Sequence, residues 1–367
     1  MRCSGAAGRS QSAPLPTCEL ALYLAVTVGF HLYSFYQVFK VSRIYEKDLD
    51  SEFGFEKGFF IWGFKKDPTD FEWSFWTEWV KKLLLWTLLG HVIISQVTNA
   101  FFPKMRRTET SVPKTDLVCL LLGAVRIFFW WWLTESMLHF MYIHAIQHQE
   151  TILESASYWT LGGLGFAHTL FFYLKYLLLY GIPSIIMCLD GIKPPRLPRC
   201  TSSLYSFTGT WREFDVGLHR WLVRYIYVPL GGSRHGLLRM MFSSAMAFSF
   251  VCYWHGGHSF MLNWAAMNWV GVMLENVLKM ICAVSPTQEI IGRFLSTRMQ
   301  RRAHGALGSV ATTLLILSNL VFLCGNEVGK IYWNRTFIQG WPWTPIAVLG
   351  YFYCYTQVGI EYDRIKK

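Results

Sequence analysis

The chain has 367 residues, of which 53% are hydrophobic and only 16% are charged, with a mean hydropathy of +0.27. This composition excludes the soluble globular class and indicates a membrane protein. A net charge of +11 would suggest nucleic-acid binding in a soluble chain, but here the basic residues lie between apolar segments, as in cytosolic loops of membrane proteins. We therefore expect membrane lipids, and not nucleic acid, around this chain.

Residues 1–16 are small and polar and contain proline, and we expect them to form a disordered N-terminal segment. They do not resemble a cleavable signal peptide, because the apolar segment that follows is too long. The nine cysteines show no regular spacing, which favours reduced or lipidated thiols over disulfides. We expect residues 17–367 to form a single membrane-embedded domain.

Eight apolar segments are long enough to cross a bilayer, which requires about twenty residues of helix. The predicted fold class is therefore an all-α polytopic membrane protein, with about eight transmembrane helices and further interfacial or re-entrant helices around a membrane-embedded cavity. The eight segments are Glu19–Val38, Leu83–Phe102, Leu117–Ile143, Tyr158–Leu189, Leu237–Trp254, Ser259–Ala283, Ala306–Leu323 and Trp341–Ile360.

Two other segments are amphipathic. Residues 53–82 interleave aromatic and charged residues, which suits a chain in the headgroup region. Residues 216–228 place Arg220 and Arg224 on one side of a helix and apolar residues on the other, which predicts an interfacial or re-entrant helix. The basic segments predict that Asp215 lies on the cytosolic side and that the turn at His255 is lumenal.

The candidate chemistry is centred on His255 in the run Tyr253–Gly257 (YWHGG), between the fifth and sixth segments. A histidine titrates near neutral pH and can accept a proton from a nucleophile. The two glycines permit a sharp break in the helix and a close approach of substrate. The alternative is an ordinary interfacial histidine in a helical hairpin.

Asp215 precedes the second amphipathic segment and can support developing positive charge in a water-poor site, or it can cap that helix. Arg212 and the neighbouring arginines suit a phosphate-bearing substrate such as an acyl-coenzyme A, or they set the topology. Asn319 lies inside a span, where it can line the substrate cavity or join two helices. His139, His144 and His148 could suggest a metal site, since 144 and 148 would share a helical face, but no third ligand lies at a suitable spacing from this pair, so we do not predict one.

Several motifs resemble those of the membrane-bound O-acyltransferases, and in particular the branch that acts on hedgehog signalling proteins. The resemblance covers nearly the whole chain, and the motifs occur in the family's order. They are Thr69–Trp79 (TDFEWSFWTEW), Ser206–Gly209 with Trp211, Asp215–His219, Tyr253–Gly257 and Gly325–Lys330.

The resemblance implies transfer of palmitate from palmitoyl-coenzyme A to the N-terminal cysteine of a hedgehog signalling protein, in the endoplasmic reticulum membrane. His255 falls on the family's signature histidine and Asp215 on its second catalytic position. We expect Trp211, Arg212 and Asn319 to bind substrate. Cys200 falls on a position associated with haem binding.

The chain departs from the family in one respect: it lacks several spans that relatives carry near residues 103–116. This indicates an internally shortened form. Two alternatives to the palmitoyltransferase therefore stay open, which are a non-catalytic form that binds substrate or partner without turnover and a lipid O-acyltransferase. A transporter is disfavoured, because the sequence shows no paired broken helices in related halves.

Overall fold

The structure, a computed structural model, describes residues 13–58, 63–101, 117–189 and 192–366. Most of the predicted N-terminal segment 1–16, and all of residues 103–116, lie outside the described residues. Fourteen α-helices dominate the part of the chain that is described, which confirms the all-α prediction. They are α1 Thr17–Ile44, α2 Glu46–Phe53, α3 Phe71–Phe101, α4 Leu117–Phe140, α5 Ile143–Gln147, α6 Glu150–Ser155, α7 Tyr158–Leu189, α8 Phe207–Glu213, α9 Val216–Leu222, α10 Leu237–Trp254, α11 Ser259–Ala283, α12 Ser285–Phe294, α13 Thr297–Trp333 and α14 Trp343–Ile365.

Short elements complete this part of the chain. A 3-10 helix covers Thr201–Ser203, and π-helical turns cover Val223–Tyr227 and Asn334–Gln339. Strands β1 (Glu56–Lys57) and β2 (Lys65–Lys66) form an antiparallel pair.

Helices occur at all eight predicted spans. Among the described residues, four helices are long and apolar enough to cross a membrane, namely α1, α7, α10 and the helix Thr297–Gln339 that contains α13. A fifth candidate is α11 together with α12, which are bent by 81° at their junction. The ends of α7, α10 and α11 coincide with the predicted ends, because composition changes sharply at those positions.

Both segments predicted to be amphipathic contain helix. In residues 53–82, Phe71 begins a helix that continues without a break to Phe101, so the predicted span that starts at Leu83 is the continuation of this helix, and the headgroup position of residues 53–82 stays a prediction. Residues 216–228 do form helix, and Leu222 is buried in the same cluster as Val251 and Cys252 of α10.

The chain divides into two compact units. The first comprises the described parts of residues 1–34, 157–161 and 199–367. Its helices α13 and α14 approach closely at two glycines: a Cβ on Gly305 would lie 2.1 Å from the side-chain nitrogen of Gln357, and a Cβ on Gly308 would lie 2.6 Å from Thr356. Small residues at such crossings bring helix backbones together, as is usual in membrane proteins.

The second unit comprises the described parts of residues 35–156 and 162–198, and it contains buried charge. Asp70 caps the start of α3 by accepting from the Trp73 N–H at 2.6 Å. The same carboxylate pairs with Lys175 of α7 at 3.0 Å and lies 3.4 Å from His144 of α5. The motif Thr69–Trp79 therefore joins three helices of this unit through one carboxylate.

Candidate functional site

His255 ends α10 at a sharp turn. Its backbone N–H still bonds to the Val251 carbonyl at 3.0 Å, but Gly256 and Gly257 follow with φ values of +98° and +66°. These angles lie in the left-handed region, which side chains disfavour. The two glycines thus reverse the chain within the motif, and α11 begins at Ser259.

Aromatic side chains hold the His255 ring from two sides. Trp264 of α11 meets it edge-on, with ring centroids 5.9 Å apart, and Phe322 of α13 meets it at 5.3 Å. Trp264 is only 6% exposed, so it is a fixed support. The imidazole is consequently half-buried in an apolar setting contributed by three helices.

The predicted substrate-binding residue Trp211 belongs to the same aromatic group. Its ring lies 5.6 Å from Trp264 and 4.7 Å from Phe248, and its indole N–H donates to Asn268 at 3.0 Å. The amide of Asn268, which is 1% exposed, donates in turn to the Trp264 carbonyl at 2.9 Å. Trp264 therefore contacts both the His255 ring and the Trp211 ring.

Asp215 caps α9, which is one of the two alternatives that the sequence left open. Its Oδ1 accepts from the Leu218 N–H at 2.8 Å, in the geometry of a helix N-cap. Leu218 packs against the cluster that contains Trp264 and Val251. The cap does not exclude a second role, because Asp215 is only half-buried.

The other candidates are placed differently. Arg212 is exposed and Asn319 is half-buried, and it is Ser318, the neighbour of Asn319, that accepts from Asn268 at 3.3 Å. Cys200 is a half-buried free thiol at the start of the 3-10 helix. The structure thus brings Trp211 to the His255 group, and among the described residues no hydrogen bond or ion pair joins Arg212, Asn319 or Cys200 to His255.

Arg199 is held near this group by ion pairs with two carboxylates, those of Glu213 and Asp363. Burial alone would lower the pKa of Arg199, but its bonds to Glu213 and Asp363 raise it. The Glu213 contact is 2.7 Å long and anchors the C-terminal end of α8, two residues before Asp215. In α9, burial and the nearby cations Arg212 and Arg220 lower the pKa of His219.

Four residues of α11 that contact this site were not predicted from the sequence: Trp264, Asn268, Glu275 and Lys279. Glu275 accepts from the backbone N–H groups of Phe207 and Thr208, and Lys279 donates to the Thr208 hydroxyl. One signal was available, since an acidic and a basic residue inside an apolar span are costly without a specific partner.

Comparison with known proteins identifies the family of this chain. The family model described as MBOAT, membrane-bound O-acyltransferase family, matches residues 95–318. The chain belongs to this family. The match confirms the family inferred from the motifs, and it includes Trp211, Asp215, His255 and Trp264.

Individual relatives agree with this membership. The Mus musculus protein-cysteine N-palmitoyltransferase HHAT is 36% identical over 493 aligned positions, covering 95% of this chain and 99% of the relative. The Drosophila melanogaster protein-cysteine N-palmitoyltransferase Rasp is 28% identical over 64% of this chain and 47% of its own length. The Schizosaccharomyces pombe membrane-bound O-acyltransferase gup1 is 31% identical over 51% of this chain and 30% of its own length.

Proposed function

We propose that this membrane protein is a protein-cysteine N-palmitoyltransferase that moves palmitate from palmitoyl-coenzyme A to the N-terminal cysteine of a hedgehog signalling protein. Two relatives that carry this enzyme name support the activity. The structural observation that carries the proposal is the position of Trp264, which contacts both the His255 ring and the Trp211 ring. The endoplasmic reticulum membrane is the proposed location.

The proposed reaction is an aminolysis of a thioester. The amine of the acceptor cysteine attacks the palmitoyl carbonyl, the carbon–sulfur bond breaks, and an amide and coenzyme A are formed. His255 accepts the proton that the amine loses and returns it to the departing sulfur, as a general base and then a general acid. Asp215 stabilises the positive charge that develops on the amine or on the imidazole. No covalent intermediate on the protein is needed.

Substrate access follows from the predicted sides of the membrane. The turn at His255 is predicted to be lumenal and the segment before Asp215 cytosolic, so we propose that acyl-coenzyme A enters from the cytosol and the secreted acceptor from the lumen. Arg212 and the nearby arginines would bind the phosphates of the donor, while Trp211 and Asn319 would line the acyl path.

The direct test is palmitoylation of a hedgehog N-terminal peptide by purified protein in detergent. We expect His255→Ala to lower the rate by about 10²–10⁴-fold, which is the usual contribution of a general base. His258→Ala is the matched control, because His258 lies in the same turn, stacks on Phe260 and should leave the rate unchanged. Equal rates for wild type and His255→Ala would contradict the proposed role of His255.

A second candidate function is binding of substrate or partner without turnover. One observation favours it: the alignment with the Mus musculus relative extends over 493 positions, more than the 367 residues of this chain, so part of the relative has no counterpart here. If wild-type protein binds palmitoyl-coenzyme A but transfers no palmitate in the peptide assay, this candidate is favoured. Transfer to a glycerolipid in place of the peptide would favour the lipid O-acyltransferase.

Haem binding at Cys200 stays a prediction of the family resemblance. The free, half-buried thiol is compatible with an axial thiolate ligand of haem iron. Its neighbour Arg199 is occupied by Glu213 and Asp363 and is therefore not free to pair with a haem propionate. No step of the proposed transfer passes through haem.

A further inference from the structure

Helix α8 is too short to hold its own position. It has seven residues, Phe207–Glu213, and isolated helices of this length are not stable in water. It nevertheless carries Trp211 and leads directly to Asp215. The positions of these residues must therefore come from the elements that α8 contacts. Arg199 holds its C-terminal end through Glu213, and α11 contacts the rest of it.

Four residues on one face of α11 contact α8 in register. Their spacings of three and four residues put them on a single stripe of the helix. Asn268 accepts from Trp211, a Cβ on Gly271 would lie 2.6 Å from the Phe207 ring, Glu275 binds two backbone N–H groups at the start of α8, and Lys279 donates to the Thr208 hydroxyl.

The same stripe continues to the catalytic turn. Trp264 lies one helical turn before Asn268 and contacts the His255 ring. From Trp264 to Lys279, α11 rises about 22 Å at 1.5 Å per residue. One rigid helix face thus contacts His255 at one end and holds α8, with Asp215 after it, along the rest.

Glu275 makes the strongest of these contacts. Its two carboxylate oxygens accept from the Phe207 N–H at 2.6 Å and from the Thr208 N–H at 3.1 Å, and the Thr208 hydroxyl donates to it at 2.6 Å. The side chain is only 13% exposed. Hydrogen bonds to a charged acceptor are stronger than neutral ones, so this carboxylate fixes the start of α8 both along and around the axis of α11.

On these contacts, we infer that Glu275 is a positioning residue for acyl transfer: through α11 it sets the distance between the Asp215-bearing segment and His255. This inference rests on the proposed palmitoyltransferase function. Glu275 contacts neither His255 nor Asp215 in any hydrogen bond or ion pair found among the described residues. Its effect must pass through α8.

The test compares Glu275→Gln with wild type in full-length purified protein, with Glu289→Gln, an exposed residue of α12, as the control for loss of a charge. An amide offers only one acceptor oxygen, so one of the two backbone bonds is lost. We expect the turnover number for palmitoyl transfer to fall about 10-fold with little change in KM for palmitoyl-coenzyme A. Amide hydrogen exchange should rise in residues 207–215 and stay unchanged in residues 237–254. Glu289→Gln should match wild type in every measurement.

Unchanged turnover in Glu275→Gln would overturn the positioning role, and so would unchanged hydrogen exchange in residues 207–215. A loss of folded protein without a fall in turnover per folded molecule would reduce Glu275 to a structural residue. Absence of transfer in wild type would overturn the proposed function instead, and the exchange measurement alone would then decide whether Glu275 holds α8.

Discussion

Asp215 combines two properties that different substitutions can separate. Its Oδ1 caps α9 by accepting from Leu218, whereas its proposed role in transfer depends on negative charge. Asparagine is as good an N-cap as aspartate but carries no charge, and alanine lacks both properties. The same position can therefore be tested for structure and for chemistry independently.

We expect Asp215→Asn to unfold at the temperature of wild type while its transfer rate falls at least 10-fold. Asp215→Ala should lose transfer as well and should lose about 1 kcal/mol of stability with the cap. Thermal unfolding in detergent and the peptide palmitoylation assay measure the two effects. Full activity of Asp215→Asn would mean that the cap is the only role of this residue.

At the scale of elements, the α8–α11 contact depends on the absence of a side chain at Gly271. The Phe207 ring lies over the α11 backbone there, and a Cβ would come within 2.6–2.7 Å of three ring atoms. Such contacts are too short for carbon atoms, so the ring and α8 would have to move. A glycine inside a helix destabilises that helix compared with alanine. At Gly271, the close packing of Phe207 offsets this loss of stability.

Gly271→Ala should therefore destabilise the protein by about 1–3 kcal/mol, as overpacking does in other cores. Gly292→Ala in α12 is the matched control, because a Cβ there meets nothing within 4 Å, and alanine should be neutral or slightly stabilising in that helix. Thermal unfolding midpoints of the two variants provide the comparison. A Gly271→Ala midpoint equal to that of Gly292→Ala would show that α8 tolerates displacement.

At the scale of the whole molecule, two histidines outside the predicted spans link stability to pH: His144, which is buried, and His219, which is half-buried. Burial lowers the pKa of His144, although Asp70 and Asp67 oppose this effect, and burial together with Arg212 and Arg220 lowers the pKa of His219. In the unfolded chain, both histidines take up a proton as pH falls through about 6.5. The folded state resists this protonation, so the unfolded state is favoured below that pH.

We expect the unfolding midpoint to be constant above about pH 7 and to fall between pH 6.5 and 5. The loss is limited to about 1.4 kcal/mol per pH unit for each histidine that stays neutral in the fold. In His144→Asn and His219→Asn, this part of the decrease should disappear, which a series of unfolding curves at different pH would show. An undiminished decrease in both variants would assign the pH dependence to other groups.

The sequence by itself determined the membrane class, the family and the ends of several helices. Helices α7, α10 and α11 begin and end where they were predicted, because the length of an apolar run and the residues at its ends are local properties of the chain. The motif around His255 was also visible, since its two glycines and its histidine are adjacent in sequence.

Only the tertiary structure revealed what holds the candidate site together. Glu275 and Phe207 are 68 positions apart, and Asn268 and Trp211 are 57 apart, so no local pattern could pair them. The continuation of α3 from Phe71 was missed for a related reason, because charged and aromatic residues at the start of a helix resemble an interfacial segment until their partners are known. Local composition sets where helices form, whereas packing between distant helices decides which side chains meet.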